Sequence, residues 1–144
     1  MHMQTAPRFL RWKGLLALIP SVAMVFIDQA VLPIALPTIQ KELSASSVSL
    51  WWSVNIYTLV TTMFLLLAGK WGDIKGHKTL FIGGTLLFAV ASVICGFSWN
   101  IATLLIGRSL QGLGAALLIP TLSPLIMTLF PEKERGRATG VNMA

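Results

Sequence analysis

Charge is what this sequence has least of. Only 11% of its 144 residues are Asp, Glu, Lys or Arg, against about 25% in a soluble domain. A water-facing surface cannot be built from so few charges, while 55% of the chain is hydrophobic and the mean hydropathy is +0.76. The bilayer is therefore the expected solvent. Cysteine occurs once, as Cys95 inside an apolar run, which excludes an internal disulfide and leaves a small packing residue as the simplest reading. Histidine occurs only at positions 2 and 77, and neither has neighbouring metal ligands in the sequence. Nothing resembling a Ser/His/Asp group or a phosphate-binding loop is present, so an enzyme is not expected and no cofactor is called for. The pI near 10.1 comes from scattered bases rather than a polar, basic patch, and nucleic acid is not an expected partner.

The charges that do occur act as boundary markers. None lies between Glu42 and Lys70, between Lys78 and Arg108, or between Arg108 and Glu132. Each gap holds the roughly 20 residues that a helix needs to cross about 30 Å of hydrocarbon. The expected fold is all-α and integral to the membrane. Its helices are expected at about 14–36, 50–69, 79–98 and 101–128, with a fifth beginning near 135. Residues 1–13 read as a basic tail, and residues 14–144 as the membrane part. The apolar run after Lys13 continues past Asp28 and lacks a clear small-residue cleavage site, so a retained helix is favoured over a signal peptide.

Orientation follows from the bases. With the N-terminus in the cytoplasm, Arg8, Arg11, Lys13, Lys70, Lys75, Lys78, Lys133, Arg135 and Arg137 fall inside, Lys41 falls outside, and Arg108 lies within a span. The tryptophans at 12, 51, 52, 71 and 99 all fall at expected helix ends, as an interfacial aromatic belt requires. The expected location is thus a cell (inner) membrane, in contact with lipid. Small-residue pairs, Ser92 with Gly96 and Gly112 with Ala116, allow close helix packing.

Polar residues inside the spans carry the chemistry. Counting rise per residue from the outer helix ends, Asp28 lies about 12 Å deep, Arg108 about 10 Å, Asn55 and Tyr57 about 8–10 Å, and Gln111 about 15 Å. An acid and a base at one depth in a membrane are expected to face a cavity or each other. A carboxylate whose partner changes with conformation can take up and release a proton, which suits proton-coupled transport. Asn55, Thr58 and Thr62 form a polar stripe on the second helix that is able to line a substrate path; for the hydroxyls, bonding to backbone is the simpler reading.

Three stretches then carry a family likeness. GKWGDIKGHK resembles the G-x-L-A-D-R-x-G-R-K loop of the major facilitator superfamily, with Gly69, Asp73, Gly76 and Lys78 matching and Ile74 and His77 replacing arginines. RSLQGLGAA resembles R-x-x-Q-G-x-G-A-A through Arg108, Gln111, Gly112, Gly114, Ala115 and Ala116. DQAVLPIALPTI is similar to the D-x-T-x-x-N-x-A-L-P motif of the fourteen-helix drug:proton antiporters, matching at Asp28, Ala35, Leu36 and Pro37, with Ala30 and Pro33 in place of Thr and Asn. FPEKERGRATG resembles the loop before helix five.

The resemblance implies part of the N-terminal six-helix half of a facilitator fold. It implies alternating access, with proton-driven export of amphipathic or cationic small molecules. Asp28 and Arg108 would couple protons, and Asn55, Tyr57 and Gln111 would line the substrate path. Gly69, Asp73, Gly76 and Lys78 would form a gating loop, and Gly112, Gly114 and Ala116 would serve helix packing. Asp73 has two readings: a helix N-cap or partner of Lys75 or Lys78, or a latch onto a helix end in the opposite half. Because alternating access needs two halves, this chain alone is expected not to transport. Its expected partners include a missing C-terminal half or another membrane chain. Competing readings are a metabolite importer, a dimerising four-helix transporter, and a non-transporting subunit.

Overall fold

A computed structural model describes the backbone of residues 8–129, together with Gly136 and Gly140, and the side chains from position 18 to 128. The described residues form helices and no strand. They are α1 (Arg8–Glu42), α2 (Ser47–Lys75), α3 (His77–Gly96), α4 (Ile101–Leu118), a 3-10 turn (Ile119–Thr121) and α5 (Leu122–Leu129). Four stretches are long and apolar enough to cross a membrane: Leu18–Glu42, Ser47–Lys75, His77–Gly96 and Ile101–Thr128.

The distribution of polarity is inverted relative to a soluble protein. Arg108 is the largest fully buried side chain, and Gln111, Thr121 and Ser53 are buried with it. Leu66 and Ile34, by contrast, are 85% and 79% exposed. Such faces are tolerable only against lipid. The apolar core is formed by Leu18, Val25, Tyr57, Phe81, Phe88, Ala115, Leu118 and Ile126.

The boundaries differ from the sequence expectation for identifiable reasons. Expected at 14–36, α1 runs from Arg8 to Glu42, through Pro20, Pro33 and Pro37. In lipid, leaving the helix would expose more backbone than a proline removes. The helix therefore also takes up the end of the segment expected as a basic tail. Positions 1–7 and the start of the fifth helix near 135 lie outside the described residues.

At the other end of the first hairpin, α2 continues beyond the expected residue 69 to Lys75. Lys70–Lys75 is thus helical rather than loop: it holds no proline, and its one glycine, Gly72, weakens a helix without ending it. The break is Gly76 alone, at φ 92 and ψ 129, a conformation that glycine adopts without strain. Gly69 and Gly72 have helical backbone, so the turn is shorter than the sequence suggests, and Gly72 makes room for the His77 ring, whose Nδ1 lies 2.6 Å from where a Cβ would sit.

The expected fourth helix, 101–128, is broken at Pro120. Lacking an N–H, proline cannot donate to the preceding turn, and α4 gives way to the 3-10 turn before α5 resumes. Pro124 falls in the first turn of α5, where proline is well accommodated. The side chains of Ser46 and Asn100 cap α2 and α4, accepting from Ser49 N at 3.2 Å and Thr103 N at 2.8 Å.

Buried more than any other span, α4 packs chiefly against α3 and α2. Two glycines explain how. A Cβ on Gly112 would sit 2.6 Å from Tyr57 O in α2, and one on Gly114 would sit 2.8 Å from Phe88 N in α3. Backbones this close leave no space for any side chain.

Candidate functional site: a buried charge cluster on α4

Arg108 lies 1% exposed on α4. Its Nη1 donates to Asp28 Oδ2 of α1 at 2.5 Å and to Gln111 Oε1 at 2.8 Å. Its Nε donates to Ser53 O of α2 at 3.1 Å. The guanidinium carbon lies 4.7 Å from the centroid of the Tyr57 ring, in cation–π range. Three helices therefore neutralise one buried cation. The close approach at Gly112 is part of this: it sets the Tyr57 backbone against α4 one turn from Arg108.

Gln111 is the junction of the cluster. Its amide NH2 donates to Asp28 Oδ1 at 2.8 Å and to Ser92 Oγ at 2.9 Å. Its amide oxygen accepts from Arg108 and from Cys95 Sγ at 3.3 Å. Both donor and both acceptor positions are thus used. The reverse amide orientation would set NH2 against the guanidinium and oxygen against the carboxylate, so the charges fix the side chain. Ser92 in turn donates to Phe88 O at 2.8 Å.

Of the residues singled out from the sequence, Asp28, Arg108, Gln111 and Tyr57 meet in this cluster. Asn55 does not. Two residues along a helix turn the side chain by about 200°, so Asn55 and Tyr57 lie on opposite faces of α2. Asn55 Nδ2 donates to Trp51 O at 2.8 Å, and Thr62 Oγ1 donates to Thr58 O at 2.8 Å. Asn55, Thr58 and Thr62 line a shallow surface depression with Trp51 and Trp52. Ser53, on the same face as Tyr57, supplies the α2 carbonyl instead.

Gly69, Asp73, Gly76 and Lys78 lie at the end of α2, in the turn, and at the start of α3. Asp73 is neither an N-cap nor a partner of Lys75 or Lys78. Its side chain is 75% exposed, and Oδ1 lies 3.3 Å from His77 Nε2, four residues on. Gly112, Gly114 and Ala116 are buried along α4.

Sequence reading missed three contributors: Ser53, Ser92 and Cys95. A backbone carbonyl leaves no trace in a sequence. Ser92 and Cys95, three apart on α3, form a faint signal, since both turn the same face toward α4. Among the described residues no group of His, Cys, Asp and Glu is able to hold a metal.

Hollows lie along α1, and two of them border the cluster. One, of about 440 Å³, is lined by Val25, Gln29, Tyr57, Leu118 and Leu122, between α1, α2 and the α4–α5 segment. The other, of about 390 Å³, lies between α1 and α3 and is lined by Asp28, Val31, Ala35, Ser92 and Cys95.

Multiple apolar spans around a buried ion pair define a multi-pass α-helical membrane protein. Comparison with known proteins makes the assignment specific. The Major Facilitator Superfamily model matches residues 18–144, and the chain belongs to that family. It is 41% identical over 132 residues to the puromycin resistance protein pur8 of Streptomyces alboniger, covering 91% of this chain and 26% of that protein. It is 38% identical over 130 residues to the tetracenomycin C resistance and export protein of Streptomyces glaucescens, covering 90% and 24%. The riboflavin transporter RibZ of Clostridioides difficile strain 630 is 34% identical over 134 residues, covering 93% and 29%. The chain thus spans about a quarter of the length of these relatives.

Proposed function

We propose that this chain forms the first part of the N-terminal half of a proton-coupled exporter of amphipathic small molecules working by alternating access. The observation that carries the reading is the Asp28 carboxylate held by Arg108 and Gln111 inside an apolar span. Both contacts are donated to the carboxylate, and a proton arriving on Asp28 removes the charge that they serve. Arg108 then loses its counter-charge while it remains buried, and the cluster relaxes by moving α1 relative to α4. A proton is thereby converted into a helix displacement, as alternating access requires. Proteins named for puromycin resistance and tetracenomycin C export support the direction of transport.

In this reading the N-terminus lies in the cytoplasm of a cell with an inner membrane, as the placement of Lys and Arg supports. Gln29 and Tyr57, in the hollow beside α5, contact the substrate. Exposed Asp73 meets the other half of the transporter, and the chain alone does not transport. A second reading, transport of a metabolite, is favoured by the relation to a protein named as a riboflavin transporter.

The test uses everted vesicles containing the full-length transporter that includes this segment. Ethidium or puromycin efflux driven by a pH gradient is expected, and Asp28→Asn abolishes the pH-driven component. Undiminished transport in that variant removes Asp28 from the mechanism. Uptake of riboflavin without drug efflux selects the second reading.

A further inference from the structure

The amide of Gln111 is fixed twice over. The ion pair sets its sense through charge, since Arg108 meets the oxygen and Asp28 meets the NH2. Two residues of α3 set the same sense without charge. The hydroxyl of Ser92 donates its hydrogen to Phe88 O at 2.8 Å, so toward Gln111 it can only accept, and it meets Nε2 at 2.9 Å. The thiol of Cys95 donates to Oε1 at 3.3 Å, and its other contact, to Leu104 O, is longer at 4.0 Å. An acceptor and a donor three residues apart on α3 thus match the NH2 and the oxygen of one amide.

The match depends on α3 lying hard against α4. A Cβ on Gly107 would sit 2.5 Å from Cys95 Sγ, and one on Gly84 would sit 2.9 Å from Gly114 O. Gln111 is 1% exposed, so bulk water does not replace a lost partner. The terminal torsion of a glutamine is broad, so its partners rather than its rotamer hold the amide plane. Gln111, Ser92 and Cys95 therefore form one unit built on α3 and α4, whereas Asp28 comes to it from α1. Protonation of Asp28 removes the charge that orients the NH2 from one side. The bonds to α3 involve neutral groups only and are untouched by that change.

We propose that Ser92 and Cys95 are positioning residues of the proton site: they keep the Gln111 NH2 aimed at Asp28 while its carboxyl is protonated, so that the carboxylate is recaptured when the proton leaves. The proposal rests on the proton-coupling reading of Asp28 and deepens it by giving α3 a part. Neither residue touches the proton; both act through Gln111. The ionisable groups facing Asp28 are Arg108 from α4, Tyr57 from α2 and Cys95 from α3.

The test uses the full-length transporter that includes this segment, in membrane vesicles. Dicyclohexylcarbodiimide reacts with protonated carboxyl groups in apolar surroundings, and peptide mass spectrometry locates the adduct. Labelling of Asp28 is followed against pH, and in the wild type it falls as pH rises. Ser92→Ala and Cys95→Ala are each expected to raise it about three- to tenfold at a pH where the wild type is little labelled, the range that one weakened hydrogen bond gives. Cys95→Ser, whose hydroxyl donates in place of the thiol, is expected to restore the wild-type level. Ser109→Ala removes a hydroxyl bonded within α4 to Leu105 O and is expected to leave the curve in place. A rise in Ser109→Ala equal to that in the α3 variants overturns the proposal, because general loosening then explains both. Wild-type curves in Ser92→Ala and Cys95→Ala overturn the role of α3 and leave Asp28 as a proton site. Absence of Asp28 labelling in the wild type at every pH overturns both. Where Ser92→Ala fails to fold, the comparison of Cys95→Ala with Cys95→Ser decides the matter.

Discussion

Truncation of the Asp28–Arg108 pair gives a quantitative test of the buried cluster. Charges 2.5 Å apart attract by roughly 6–7 kcal/mol at an effective dielectric of about 20. Desolvation offsets several kcal/mol of that, since Arg108 is 1% exposed. The larger cost arises when only one partner is removed. Asp28→Ala leaves a buried guanidinium with Ser53 O, Gln111 and the Tyr57 ring but no counter-charge, and is expected to cost about 3 kcal/mol. Arg108→Met leaves a partly exposed carboxylate still bonded to Gln111, and is expected to cost about 2 kcal/mol. The double variant leaves no orphaned charge and is expected to cost about 3 kcal/mol rather than the additive 5, a coupling of about 2 kcal/mol. That corresponds to roughly thirtyfold in the unfolding equilibrium. Unfolding of the chain in mixed micelles, titrated with SDS and followed by tryptophan fluorescence, measures the cycle. Additivity to within about 0.5 kcal/mol would refute the claim that the two charges are mutually compensating.

The same assay separates glycines that let helices touch from those that do not. Gly112→Val, forced against the Tyr57 backbone, is expected to destabilise by about 3 kcal/mol. Gly83→Ala, with nothing within 4 Å of the added Cβ, is expected to be neutral or stabilising by up to about 1 kcal/mol. Equal effects would contradict the close approach of α2 and α4. Gly76→Ala is expected to cost about 1–2 kcal/mol, because φ 92 is strained for a residue with a Cβ. Retained stability there would mean that the α2–α3 turn adopts another backbone.

The parts legible in the sequence were those where lipid makes polarity expensive. Asp28 and Arg108 interrupt long uncharged runs, and their similar depths point to each other. The spans were legible for the same reason, though not their ends. Lys70–Lys75 is charged but helix-compatible, so charge marks the edge of hydrocarbon rather than the end of a helix. Pro120 acts the other way. It breaks a helix inside an apolar run where hydropathy shows no boundary, whereas Pro20, Pro33 and Pro37 are absorbed within α1. Proline alone does not separate these cases. Asn55 shows a further limit. Depth along a helix placed it beside Tyr57, but the angle around the helix sets them on opposite faces.

Packing and chemistry in this chain are written in one short string, RSLQGLGAA. Arg108 and Gly112, four apart, share the face of α4 that meets α2. Gly107, Gln111 and Gly114 share the face that meets α3, where a Cβ on Gly107 would sit 2.5 Å from Cys95 Sγ. Gln111 borders both faces, so one amide reaches Asp28, Arg108, Ser92 and Cys95. The glycines do more than bring helices together. They set the distances at which a carbonyl from α2, a hydroxyl and a thiol from α3, and a carboxylate from α1 converge on two side chains. A bulkier residue at 112 is therefore expected to disturb the ion pair as well as the fold, because Tyr57 cannot retreat from Gly112 without leaving Arg108.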